Sequence, residues 1–231
     1  MKLNTREWGS GERTAVLIHG ITSDSSSWWR FGPDLATRGY HVIAVDLRGH
    51  GLSPRGEYGP QAWADDVLES VPAGPELALG HSLGGLVLAV AIERMRPARA
   101  IYEDPAWRVR PERQAQAAQE FMAQKSWGRE QVAAANPRWS AQDVDAKLAA
   151  LQCWDPNTAP AVLTGSTWNY TPARPVLPSL VQLADPSDLV PPDEAQRLRE
   201  AGFEVRVVPG AGHSIHRDDY VGFIAGLVGW L

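Results

Sequence analysis

The sequence predicts an α/β protein built on a mostly parallel sheet, and three observations predict it. Six short runs rich in Val, Ile and Leu recur along the chain, most of them separated by longer stretches with helical spacing. One run leads directly through Gly-x-Ser-x-Gly into an apolar helix. The 231 residues, 44% hydrophobic and 21% charged, supply the core of one large domain or of one domain carrying an insertion.

The runs are Ala15 to Ile18, Val42 to Val45, Leu77 to Leu79, Ala100 to Tyr102, Leu180 to Leu183 and Val205 to Val208. Leu3 to Trp8, joined to the first run by Gly9, Ser10 and Gly11, reads as an edge hairpin, which makes the sheet mixed at that end. From Arg108 to Thr171 the rhythm breaks, because Ala-, Gln- and Glu-rich segments follow one another with no strand between them. Pro111 starts the first of these helices, and Asn136-Pro137 separates the next pair. Ser140 caps another with Asp143 three residues on, and Pro156 opens a last short piece. A C-terminal helix is expected over Tyr220 to Leu231.

Composition narrows the function. A single cysteine, Cys153, excludes an intramolecular disulfide and a thiolate zinc knot, and reads as a small buried hydrophobe. Twenty-two basic against 27 acidic residues, net −5, make a poor footprint for nucleic acid. The polar start and the short longest apolar stretch, Leu86 to Ile92, point to a soluble cytoplasmic protein without signal peptide or membrane span.

Leu77-Ala78-Leu79-Gly80-His81-Ser82-Leu83-Gly84-Gly85 reads as a buried strand turning sharply into a helix. Such a turn strains the serine backbone, requires glycines beside it and presents Ser82 at a helix N-terminus, where backbone amides favour an oxyanion. Ser82 is the expected nucleophile. Its base needs a side chain that titrates near neutrality, so the six histidines are the candidates. His213 is preferred, with His216 as its rival. A His213–His216 metal pair lacks an accompanying carboxylate pattern, and no metal is expected.

With these motifs the chain resembles the α/β-hydrolase family over nearly its whole length. His19-Gly20 resembles the family's oxyanion loop, Asp46 to Ser53 its next loop, and Gly210-Ala211-Gly212-His213 its histidine loop. The resemblance implies an α/β-hydrolase core over residues 1–107 and 172–231. It also implies a small helical cap, residues 108–171, inserted after the sixth strand. It places the oxyanion hole at the amides of Ile21 and Leu83; losing one such donor typically costs on the order of 100-fold in rate.

The triad acid stays open. Many relatives place it in a pattern similar to Gly-x-x-Asp-x-x-Val-Pro, but Ala184 to Pro191 puts Ser187 at the aspartate position, leaving Asp185 or Asp188 in a shifted geometry. Asp104, directly off the strand Ala100 to Tyr102 and before Pro105, is preferred. Glu103 is then expected on the opposite face. Asp46 and Arg48 are read as a pair that fixes their loop.

Ten tryptophans are many for this length. Trp107, Trp127, Trp139, Trp154 and Trp168 lie in or beside the helical insertion. They either glue it to the core or line a wide aromatic pocket, with Trp28, Trp29 and Trp63 facing them. For the pocket, Trp28, Trp107, Trp127 and Trp154 are selected. The expected function is a cofactor-free serine hydrolase, monomeric or homodimeric, acting on an ester or lactone of a small, mainly apolar or aromatic substrate. Carbon–carbon bond hydrolysis and a non-catalytic ligand receptor are the alternatives.

Overall fold

A computed structural model describes the backbone of residues 1–108, 111–163 and 169–231, and the side chains of all but 109–113 and 162–168. The strands are β1 (Thr5–Trp8), β2 (Arg13–Ile18), β3 (Tyr40–Val45), β4 (Leu77–His81), β5 (Arg99–Glu103), β6 (Ser179–Leu183) and β7 (Glu204–Val207). They form one sheet in the order β1-β3-β2-β4-β5-β6-β7. All neighbours are parallel except β1, which runs antiparallel to β3 with Thr5 opposite Val45 and Trp8 opposite Val42.

The edge is mixed as expected, but the hairpin is not there, because β1 pairs with β3 instead of β2. The Gly9-Ser10-Gly11 link crosses the start of β3 at backbone contact. A methyl group at Gly9 would lie 2.4 Å from the Tyr40 carbonyl oxygen, and one at Gly11 2.0 Å from that of Gly39. The glycines serve that crossing and not a tight turn. β2, buried along its last four residues, takes the centre, while the largely uncovered β1 takes the edge.

Helices α1 (Phe31–Thr37), α2 (Pro60–Ser70) and α3 (Leu83–Met95) lie between the early strands. Next come α4 (Pro111–Ala123), α5 (Arg129–Ala135), α6 (Ala141–Cys153) and α7 (Thr158–Leu163). The last three are α8 (Pro192–Glu200), α9 (Ile215–Asp218) and α10 (Tyr220–Ala225). Strand alternation divides the core. Val16, Ile18, Val45 and Tyr102 pack with Trp63, Val67, Leu86 and Leu198 of α2, α3 and α8. Ala15, Leu17, Leu79 and Ile101 pack on the other face with Phe31, Leu35 and Phe223. Helix α10 stops at Ala225, short of the expected Leu231. From Gly226 the chain continues as turns, with Gly229 at φ 86°, and Trp230 reaches the core from one of them.

Helices α4 to α7 follow β5, the fifth strand of the chain and not a sixth. α4 and α6 start as expected, whereas the last of these helices, α7, begins at Thr158, two residues past the expected Pro156. Pro111 opens α4, and at the start of α6 the Asp143 amide donates to Ser140 Oγ while Ser140 N donates to Asp143 Oδ2. Val132, Val144, Leu151, Trp154 and Ala159 give these helices a small core of their own. Lys125 Nζ closes the end of α6 by donating to the carbonyls of Leu151, Gln152 and Trp154 at 2.7–2.9 Å. The chain leaves and returns side by side, through a bridge between Arg108 and Asn169. Cys153 is half-buried at the end of α6. Among the described residues no helix is long and apolar enough to cross a membrane.

Two glycine substitutions test the packing of the sheet. Gly84→Ala places a methyl 2.1 Å from the Ile18 carbonyl oxygen, and chemical denaturation should show a loss of about 3 kcal/mol or more. Gly59→Ala, with nothing within 4 Å of the new methyl, should change stability by less than about 1 kcal/mol.

Candidate active site

Ser82 joins β4 to α3 in a left-handed conformation, φ 52° and ψ −115°. That backbone is strained for any residue with a side chain, and three layers of structure hold it. Its amide donates to the Glu103 carbonyl at 3.0 Å, and its carbonyl accepts from Gly85, Leu86 and Ala106. Glycine is required around it. A methyl at Gly80 would lie 2.3 Å from the Gly84 oxygen, one at Gly84 2.1 Å from the Ile18 oxygen, and one at Gly85 2.8 Å from Pro105 Cβ. Gly20 packs in the same way, where a methyl would come within 3.2 Å of Ser82 Cβ. The loop carrying Ile21 therefore lies against the serine, and Leu83 begins α3 beside it.

Asp104 is 1% exposed and, at φ 38°, also left-handed. Its Oδ2 accepts from His213 Nδ1 at 2.6 Å, and its Oδ1 accepts from the Ala184 amide at 3.4 Å. The contact makes Nδ1 the protonated ring nitrogen and leaves Nε2 as an acceptor. Burial alone would lower the pKa of His213; the Asp104 hydrogen bond and charge outweigh it, and the imidazole is raised above its ordinary value. His81, which burial keeps neutral, donates from Nε2 to the His213 carbonyl at 3.0 Å.

The other acids have different partners. Asp185 supports the histidine loop through its backbone and carboxylate, its amide donating to Ala211 O and its Oδ2 accepting from Gly210 N, and Asp188 is exposed. Glu103, expected on the far face, instead accepts from the amide and Nδ1 of His216 at 2.9 and 2.8 Å. Strand alternation ends at Glu103, and the left-handed Asp104 turns its carboxylate onto the same loop. His216 thus has its own acid and stands apart from the His213–Asp104 pair. Arg48 pairs with Asp66 at 2.6 Å rather than with Asp46, which accepts from the amides of Ser25 and Leu52. His19 donates from Nδ1 to Gly20 O while its Nε2 accepts from Leu47 N, joining the two loops.

Ser82 and His213 open onto one cavity of about 590 Å³ between the sheet and helices α4 to α6. Its apolar wall is Ile21, Phe121, Trp127 and Trp139. Of the four tryptophans expected to line it, only Trp127 does. Trp28 is fully buried behind His216, their rings 4.5 Å apart. Trp107 lies under α3 and donates to Gly85 O, and Trp154 fills the core of the helical segment and donates to Thr158 Oγ1. Trp107 and Trp154 satisfy their single N–H internally, Trp28 Nε1 has no partner among the described residues, and full burial keeps all three from the cavity. Trp63 is likewise buried, Trp29 donates to Asp143, and Trp168 lies outside the described residues.

Two cations in the cavity wall escaped the sequence reading. Lys147 of α6 and Arg217 of α9 are both buried. Burial, with Arg217 nearby, pushes the Lys147 ammonium down to about 7. Lys147 had a signal, since it sits in the Val144, Lys147, Leu151 stripe where helical spacing calls for an apolar residue. Arg217 had none beyond following the histidine loop. Among the described residues no three His, Cys, Asp or Glu side chains are grouped to hold a metal ion.

Comparison with known proteins agrees with this architecture. A 2-(acetamidomethylene)succinate hydrolase of Mesorhizobium japonicum is 42% identical over 87 residues, 36% of this chain and 31% of that protein. Matches to curated relatives span between 24% and 42% of those proteins' own lengths. The crystal structure of an E-2-(acetamidomethylene)succinate hydrolase superposes with a TM-score of 0.83 at 23% identity, covering 99% of this chain and 94% of that one. A thermophilic esterase from Thermogutta terrifontis does so at 0.75 and 23%, covering 99% and 92%. The model of the alpha/beta hydrolase family matches residues 15–225, from within β2 to the end of α10, and the chain belongs to that family.

Proposed function

We propose that this protein is a serine hydrolase that cleaves an ester, with lactones open to the same chemistry, through an acyl-enzyme. The observation that carries the reading is the 2.6 Å contact of His213 Nδ1 with buried Asp104, on an imidazole that shares its cavity with Ser82. In this reading His213 Nε2 takes the Ser82 proton as Oγ attacks the carbonyl carbon. Asp104 holds the ring in the productive tautomer and stabilises the imidazolium. The amides of Ile21 and Leu83 receive the oxyanion, and the imidazolium returns its proton to the leaving alcohol. Water then enters with His213 as base and releases the acid. This chemistry calls for no metal or organic cofactor.

Residues 108–171 act in this proposal as a lid over the serine, since α4 to α6 supply the outer wall of the cavity. The aromatic wall suits a small apolar portion of the substrate. The related proteins are named as hydrolases of a substituted succinate and as an esterase, which supports hydrolysis without selecting the bond.

Three outcomes check the assignment. A fluorophosphonate should label the folded protein at Ser82, and Ser82→Ala should lose both label and p-nitrophenyl ester turnover; an equally active alanine variant removes the reading. Asp104→Asn should lower kcat by about 10⁴-fold, whereas Asp185→Asn should cost less than about tenfold by losing one loop hydrogen bond. The acid limb of kcat/KM should lie above the ordinary histidine value, because Asp104 raises His213. In Asp104→Asn the limb should move to lower pH, since the carboxylate charge that raises the imidazole is gone.

A further inference from the structure

The proposed acyl transfer uses neither cation of the cavity, and among the described residues neither has a carboxylate partner. Lys147 is 7% exposed and Arg217 8%. Lys147 Nζ donates to the Thr22 carbonyl at 3.1 Å and to the Thr22 hydroxyl. Arg217 Nη2 donates to Ser23 Oγ at 3.2 Å, its guanidinium lies 4.5 Å from the Trp139 ring centre, and its Nε has no partner. The described acids nearby are engaged elsewhere: Asp143 with Trp29 and the α6 cap, Asp24 with Ser26, Glu103 with His216, Asp218 with Arg138. Two buried basic side chains line the wall of a cavity that also holds a nucleophile. An opposite charge placed there would relieve both desolvation and mutual repulsion.

The position of the pair limits what can bind. Thr22 and Ser23, which accept from the two cations, directly follow Ile21. Consecutive Cα atoms are about 3.8 Å apart, so these residues lie within about 4–8 Å of the amide assigned to the oxyanion. Thr22 is a β-branched residue at φ 59°, a strained conformation that Lys147 holds through two hydrogen bonds. A guanidinium and an ammonium lining one cavity fit two carboxylate oxygens.

We propose that Lys147 and Arg217, with the Thr22–Ser23 loop, form a carboxylate subsite, and that the substrate carries a carboxylate two to four carbons from the scissile carbonyl. The subsite deepens the hydrolase reading and rests on it for the placement of that carbonyl. The apolar wall of Ile21, Phe121 and Trp127 remains for the rest of the molecule. The expected apolar substrate thereby becomes an amphipathic one, charged at one end.

Two measurements on the intact protein test this. Calorimetric titration with succinate and glutarate should show binding that the neutral succinamide does not, weakened at least tenfold by Lys147→Gln or Arg217→Gln. Mono-4-nitrophenyl succinate should be preferred over its neutral methyl ester in kcat/KM, with the ratio falling at least tenfold in either variant. Arg217→Lys, which keeps the charge, should recover part of that preference. If Arg217→Gln does not fold, Lys147→Gln carries the test, because it removes a buried basic group that has no ionic partner among the described residues. Ester turnover with no dicarboxylate binding and no preference for the charged ester overturns the subsite and leaves the hydrolase reading standing. Succinate binding that depends on Lys147, in a protein that turns over neither ester and takes no fluorophosphonate at Ser82, overturns the hydrolase reading and retains the anion site.

Discussion

The end of β2, the turn out of β4 and the first residues of α3 meet at distances that exclude even a methyl group, and the rest of the site depends on that meeting. Gly84 lies so close to the Ile18 carbonyl that the helix is held directly against the neighbouring strand. Ser82 is left no room to relax from its left-handed backbone and remains at the helix N-terminus, facing the cavity. The Gly20 contact brings the His19–Gly20 loop to the same point, and His19 ties that loop to the next through Leu47. A serine positioned only by its own loop would lose the geometry that electrostatic stabilisation of a tetrahedral anion needs, since such donors act over a few tenths of an ångström.

Two neighbouring acids meet two imidazoles on one loop, and their environments separate their roles. Asp104 faces His213, whose side chain is 46% exposed to the cavity. Glu103 faces His216, which is buried against Trp28 and held neutral by burial, while burial raises Glu103 itself. The Glu103 contacts fix the start of α9 and with it the place of Arg217. The proposed proton transfer and the proposed anion recognition are thereby supported from adjacent residues at the end of a single strand.

The helical segment contributes more than cover. Its own small core and the Lys125 clamp on α6 let it hold a shape, while Lys147 to Thr22, Trp29 to Asp143 and Tyr58 to Asp155 fasten it to the sheet. Polar and aromatic fastenings of this kind are weaker than the apolar contacts within either part. Arg217 stacked on Trp139 sits on that same boundary.

The sequence by itself determined the alternation of strands and helices, the turn at Ser82, the helix caps at Pro111 and Ser140, and the family, because these depend on local periodicity and on residues close together in the chain. Tertiary structure decided the rest. Gly9 and Gly11 look like turn residues until β3 is seen crossing beneath them, and Arg48 looks like the partner of Asp46 until α2 brings Asp66 to it. Which of Asp104, Asp185 and Asp188 meets His213 depends on which strand end faces that loop, a matter of sheet order that spacing along one chain does not carry. The tryptophans and the two buried cations show the same division. A side chain's type limits what it can do, but whether it packs inside a layer or faces the space between two layers is set by contacts between residues more than a hundred positions apart, such as Thr22 with Lys147.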